Sequence, residues 1–175
     1  MKLLALSGSA RKASANKALL QVMSKLCIED STISVIHNLN SLPVFSPDLE
    51  GDQTPSIIDE FIKAVELADG IIISSPEYVR AIPGGLRNAI DWLVSGEAII
   101  NKPIALIHAS HRGDDMLASL RLVLGTVTAE FQPRIFKRFP LVSKSPKEVQ
   151  DFFQLENNIM ELRNFVREFV SVIAK

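Results

Sequence analysis

Four short apolar runs punctuate the chain: LLAL at 3–6, ISVI at 33–36, GIIIS at 70–74 and PIALIH at 103–108. None alternates polar with apolar residues, so each is expected to be buried on both faces, as the strands of a parallel sheet are. A weaker fifth run, RIF, lies at 134–136. Between the runs the apolar positions change to helical spacing. Leu19, Leu20, Met23, Leu26 and Cys27 make one face, and Ile57, Ile58, Phe61, Ile62 and Val65 make a second, with Thr54 and Pro55 expected as cap and first-turn residue. Leu86, Ala89, Ile90, Leu93 and Val94 follow Pro83 as a third. Met116, Leu117, Leu120, Val123, Leu124 and Val127 form a fourth, and Leu162, Val166, Phe169, Val170 and Ile173 close the chain.

Five alternations of strand and helix indicate one doubly wound α/β domain over 1–175, with right-handed crossovers and helices on both faces of a five-stranded parallel sheet. The expected strand order is 2-1-3-4-5, which puts ligands outside the carboxyl ends of the strands, at the switch point beside the first. Two connections stand apart. Asn38 to Gln53 is long and stiffened by Pro43 and Pro47, a length that is more often functional or interfacial than idle. Pro146 to Ala174 would run about 42 Å as one helix, too long for this domain. A short helix opened by a capping box from Ser145 to Glu148 is expected there, then a break near Asn157. Trp92 and Leu122 lie off the apolar stripes of their helices, so each is expected at an oligomer contact in a homodimer or homotetramer. A solitary exposed Trp is the plainer alternative.

Composition narrows the function classes. Lys and Arg total 19 against 20 for Asp and Glu, so no overall field draws the chain to nucleic acid. The densest basic stretch, Arg134 to Arg138, alternates with apolar residues, which places its cations at the edge or ends of a strand. Cys27 is the only cysteine, which leaves no internal disulfide, and His37, His108 and His111 have no metal-ligand spacing. The apolar stretch in MKLLALSGSA is four residues long, short of a signal peptide, and no run approaches a membrane span. A cytoplasmic protein without membrane or nucleic-acid partners is expected.

Candidate chemistry falls on the loops after the strands. LSGSARKASANKALL, from Leu6 to Leu20, contains one glycine and no Gly-Lys-Ser/Thr, so it is neither of the common nucleotide loops. Ser7, Ser9, Arg11, Ser14 and Asn16 nevertheless sit where free amides at a helix N-terminus favour an anion. Hydroxyls, a guanidinium and small residues suit a phosphate monoester better than an ordinary turn capped by Ser14. The second loop, SSPEYVRAIPGGLRNAIDWL, is stiffened by Pro76 and Pro83. It suits a flat aromatic ligand, although Glu77 and Tyr78 serve equally as solvent-facing turn residues.

GSARKASAN followed by SPEYVRAIPGGLRNAIDW closely resembles the NADPH-dependent FMN reductase family, which includes flavin, quinone, azo and chromate reductases of flavodoxin-like fold. The resemblance implies that Ser9, Arg11, Ser14 and Asn16 hold the FMN phosphate and that Pro76, Glu77 and Tyr78 flank the ring. It implies a third contact after the fourth strand, where ASHRGDDM supplies Ser110 and Gly113 but has His111 and Arg112 in place of the small residues of many relatives. Those two are expected to meet the phosphates of NADPH or NADH, or else to face solvent. The implied activity is hydride transfer from NAD(P)H through FMN to a small acceptor, by a ping-pong cycle and without a catalytic side chain. A flavodoxin-like carrier or regulatory module is the alternative, and it lacks the acidic excess a docking carrier needs. A receiver domain would need acids where Ser7, Ser9 and Ser75 stand, and a low-molecular-weight tyrosine phosphatase would need a cysteine in the first loop, whereas Cys27 is expected deep in the first helix.

Overall fold

The computed structural model describes residues 1–26, 28 and 30–175. Five strands, β1 (Lys2–Ser7), β2 (Thr32–Ile36), β3 (Gly70–Ser74), β4 (Ile104–His108) and β5 (Phe131–Arg138), form one parallel sheet in the order β2-β1-β3-β4-β5. The helices are α1 (Ala15–Met23), α2 (Ser56–Glu66), α3 (Gly84–Val94), α4 (Asp114–Val127), α5 (Pro146–Phe152) and α6 (Glu156–Ile173).

The uninterrupted apolar runs follow from burial on both faces. Leu3, Ala5, Ile72, Ala105 and Ile107 point into one core with α1, α5 and α6. Their neighbours Leu4, Leu6, Ile71, Ile73, Ile104 and Leu106 point into a second core with α2, α3 and α4. Side chains alternate as in any strand, but both directions are apolar because both are covered. At Ile104 to Leu106 the β4–β5 register shifts, at the edge of the sheet.

The long connection after β2 packs one side against the helix α3 of the same chain. It folds through three single turns of 3-10 helix, 39–41, 47–49 and 51–53, and lies against α3. Asn88 donates to the Pro43 carbonyl at 2.9 Å and accepts from the Phe45 amide at 2.8 Å. Trp92 is 1% exposed, donates its indole N–H to the same Pro43 carbonyl at 2.8 Å, and meets Phe45 edge to face. The expectation that Trp92 marks an oligomer contact is therefore corrected. A side chain off the helix's own apolar stripe has been covered by a loop, which the spacing of α3 alone does not reveal.

Three smaller corrections concern helix ends. Thr54 does not cap α2; Pro55 holds the N-cap position without a side-chain bond, and the helix starts at Ser56. The break before the last helix falls at Phe153–Leu155, ahead of Asn157, and the Asn158 amide donates to the Phe152 carbonyl at 2.8 Å. Helix α1 ends at Met23, so Leu26 lies beyond it, while the expectation for Cys27 falls outside the described residues. The Ser145–Glu148 capping box is present. The basic stretch lies on edge strand β5, where Lys137 pairs with Glu161 and Arg138 with Asp114.

Candidate functional site

Strand β1 ends in Ser7, and Gly8 then donates its amide to the Ser74 carbonyl at 2.9 Å. A Cβ on Gly8 would lie 2.4 Å from the Ser75 hydroxyl oxygen, so only glycine lets the loops after β1 and β3 touch. Beyond it the hydroxyls organise the backbone. Ser9 Oγ accepts from the Arg11 amide at 3.3 Å and lies 3.5 Å from the Tyr78 hydroxyl. Ser14 caps α1 by accepting from the Lys17 amide at 3.3 Å. Asn16 is buried, and its side-chain oxygen accepts from Ser74 Oγ at 2.9 Å, tying α1 to β3.

The loop after β3 is clamped to α4. A Glu77 carboxylate oxygen accepts the Met116 amide at 3.0 Å, satisfying a free donor in the first turn of α4 where the helix dipole favours negative charge. Tyr78 and Ala81 exchange backbone bonds of 3.2 and 3.0 Å around Val79 and Arg80. Those two have φ of 52° and 60°, the left-handed values of a type I′ turn, a conformation a β-branched residue such as Val79 rarely takes. Arg80 pairs with Asp115 on α4.

The loop after β4 is shaped by His108. This side chain is 1% exposed, and its Nε2 donates to the Arg112 carbonyl at 2.6 Å. Gly113 follows with φ 100°, and a Cβ there would lie 2.9 Å from the His108 Nε2. Ser110 Oγ accepts the Arg112 amide at 2.9 Å, which completes the turn. His108 Nδ1 is buried and, among the described residues, makes no hydrogen bond of good geometry. Burial lowers the imidazole pKa below its ordinary value, and the Arg138 charge adds to this. The Arg112 carbonyl, the Ser75 backbone and Asp114 oppose the shift without reversing it.

These loops enclose one cavity of about 630 Å³ at the carboxyl ends of the strands. Its walls include Ser9, Arg11, Ser14, Asn16, Pro76, Glu77, Tyr78, Ser110, Arg112 and Gly113, so ten of the residues singled out from sequence converge there. His111 does not line it; that side chain is exposed, and its carbonyl accepts from Arg138 at 3.2 Å. His108 and the segment from Leu141 to Ser145 also form walls and were not anticipated. The signal for the segment was in the sequence, because a capping box just after the last strand puts the start of α5 at the ligand-binding end of the sheet. Among the described residues no three His, Cys, Asp or Glu side chains form a group able to hold a metal ion, and no helix is long and apolar enough to cross a membrane.

The profile of the NADPH-dependent FMN reductase family matches residues 1–136. The chain is 31% identical to the NADH:(hydroxy)cinnamate reductase subunit CrdA of Vibrio ruber, over 97% of this chain and 86% of that protein. It is 29% identical to a quinone reductase of Escherichia coli over 65% of this chain and 61% of that protein. Among solved structures, the flavoenzyme NAD(P)H:(acceptor) oxidoreductase FerB from Paracoccus denitrificans is similar in fold, with a TM-score of 0.77 and 23% identity over 99% of this chain and 97% of that one.

The buried imidazole carries a pH signature. With the folded pKa below the ordinary 6.5, the unfolded chain takes up a proton in acid that the folded chain refuses until lower pH. Stability contributed by neutral His108 is thus present above about pH 6.5 and declines as pH falls toward the folded pKa. His108→Gln, which retains a donor for the Arg112 carbonyl, should flatten the loss in urea midpoint between about pH 7.5 and about pH 5.5. Parallel pH profiles for the two proteins would assign the acid sensitivity elsewhere.

Proposed function

The chain belongs to the NADPH-dependent FMN reductase family, and from that premise we propose that residues 1–175 form one oxidoreductase domain passing hydride from NAD(P)H, through FMN, to a flavin, quinone or similar small acceptor in a ping-pong cycle. The observation that carries this reading is the single cavity on which three strand-end loops converge. Its volume lies within the range of ordinary cofactor sites. Ser9, Ser14, Arg11 and the N-terminus of α1 bring the donors a phosphate monoester needs; Pro76, Tyr78 and Ala109 bring a less polar wall suited to a flat ring.

FMN, when bound, supplies the hydride chemistry. The chain's residues bind and orient. Among the described residues Arg11 makes no ion pair, which leaves its charge for the phosphate. The Glu77 carboxylate is engaged by α4, so Glu77 acts by fixing the backbone of Pro76 and Tyr78 beside the ring. Arg112, held by His108 and Ser110 through its backbone, presents a guanidinium without an ion pair among the described residues toward the dinucleotide phosphates. A carrier or regulatory module would hold the cofactor without reacting with NAD(P)H, and the names of the relatives speak for an enzyme.

The direct test is the absorption spectrum of the purified protein before and after anaerobic NADPH. A bound-flavin spectrum that bleaches rapidly is expected, and one that persists would identify a carrier. Arg11→Ala should weaken FMN binding roughly 10- to 150-fold through loss of a charge-assisted hydrogen bond; an unchanged dissociation constant removes Arg11 from the site. Arg112→Ala should raise the Michaelis constant for NADPH several-fold with saturated turnover and FMN affinity unchanged, the pattern of lost uniform binding. Weaker FMN with normal NADPH kinetics would show that this loop grips the cofactor.

Assembly as a homodimer or homotetramer now rests on exposed apolar residues of α4 and the second loop, Leu122 at 75% and Val79 at 98% exposure. Light scattering at micromolar concentration should report a multiple of 19.3 kDa, and a monomer mass would reject the assembly.

A further inference from the structure

The turn between β5 and α5 lies beyond the residues that match the family profile, yet it closes one side of the cavity. Its conformation is closely specified. The Lys144 amide donates to the Leu141 carbonyl at 3.2 Å, and Ser143 takes a left-handed φ of 61° to make that turn. Ser145 then opens α5, its hydroxyl accepting from the Glu148 amide at 3.3 Å while a Glu148 carboxylate oxygen accepts from the Ser145 amide at 2.8 Å and its hydroxyl at 2.7 Å. Lys144 is therefore held between a closed turn and a helix cap. Because α5 packs against α1, the turn is carried to the part of the cavity bordered by Ala13 to Asn16.

Lys144 is half-buried as a residue, and its ammonium makes no ion pair or hydrogen bond among the described residues, although, after the Ser145 hydrogen bonds, its charge helps hold the Glu148 carboxyl below the usual range. Glu148, the acid on the same segment, is engaged by Ser145; Lys147, one position beyond Pro146, is paired with Asp151. With Glu148 bonded to Ser145, the Lys144 ammonium keeps donors available to an anion in the cavity that this residue lines. Arg11 reaches the same cavity from the loop after β1, also unpaired. Two cations without ion pairs among the described residues, on separate loops, line the cavity with the hydroxyls of Ser9 and Ser14 and the start of α1, a set suited to a phosphate.

We infer that Lys144 is a second cation for the phosphate monoester of FMN, supplied by the β5–α5 turn. This rests on the proposed FMN site and adds a residue to it. The neighbourhood of α1 favours the cofactor's phosphate over those of the dinucleotide, since Arg112 serves the latter from the loop after β4.

The test titrates the full-length chain with FMN and, separately, with riboflavin, which lacks the phosphate. Lys144→Gln should raise the FMN dissociation constant about 3- to 20-fold, the lower part of the range for a charge-assisted contact because the group is half-exposed. Riboflavin affinity should be unchanged, Lys144→Arg should restore most of the loss, and added salt should shrink the difference. Lys147→Gln, which removes the neighbouring paired cation, should change neither flavin. Equal loss for both flavins would overturn the inference in favour of a packing role. So would an unchanged FMN constant, and if the Michaelis constant for NADPH rose at the same time, Lys144 would belong to the dinucleotide. An unmodified protein that binds FMN while Lys144→Gln binds it equally refutes only the lysine; one that binds neither flavin refutes the FMN site and the lysine together.

Discussion

A parallel sheet covered on both faces restricts where polar chemistry can stand. Along the middle of β1, β3 and β4 the side chains are apolar, because Leu3 to Leu6, Ile71 to Ile73 and Ile104 to Ile107 all face a core. Crossover helices occupy both flanks, so the strands release polar residues only where they end. Reversal of strand order beside β1 parts the helices to either side and leaves a crevice at that end of the sheet. The cavity and its lining follow from this constraint.

Loops at such a crevice must also hold each other, since no secondary structure crosses it. Gly8 joins the first loop to β3, Asn16 joins α1 to Ser74, Glu77 joins the second loop to α4, and His108 holds the third through the Arg112 carbonyl. Three of these four contacts involve residues that sequence reasoning assigned to a ligand or to a strand. Side chains at a binding site commonly do both, positioning the backbone with one atom and leaving another free. Asn16 shows the division: its oxygen is bonded to Ser74, while its amide nitrogen can serve the cavity.

Strand existence, strand order and the two main loops were legible because burial on two faces writes a continuous apolar run and a helix entry writes serines and prolines. Trp92 was misread because its cover comes from Pro43 and Phe45, nearly fifty residues earlier, and helical periodicity holds no information about a loop folded back from such a distance. Glu77 gave a similar difficulty. Its partner is the Met116 backbone amide, which has no residue-type signature. The break between α5 and α6 was legible to within a few residues from length alone, since an unbroken helix would outrun the sheet. Val79 and Arg80 run against turn chemistry, which favours Asn and Gly at both positions, so only coordinates could show a type I′ turn there.

Local charge explains how a nearly neutral chain can leave cations at the proposed phosphate site. The acids near the crevice are drawn to helix N-termini: Glu77 to the Met116 amide, Asp114 and Asp115 to the first turn of α4, Glu148 to the cap of α5. Two of them also take up basic residues, Asp115 with Arg80 and Asp114 with Arg138. Such exposed pairs add little to stability, but they remove carboxylates that would otherwise neutralise the cavity. Arg11, Arg112 and Lys144 line it without an ion pair among the described residues. The electrostatic preference of the site therefore arises less from an excess of cations than from where the acids have been placed, a property that net charge does not record.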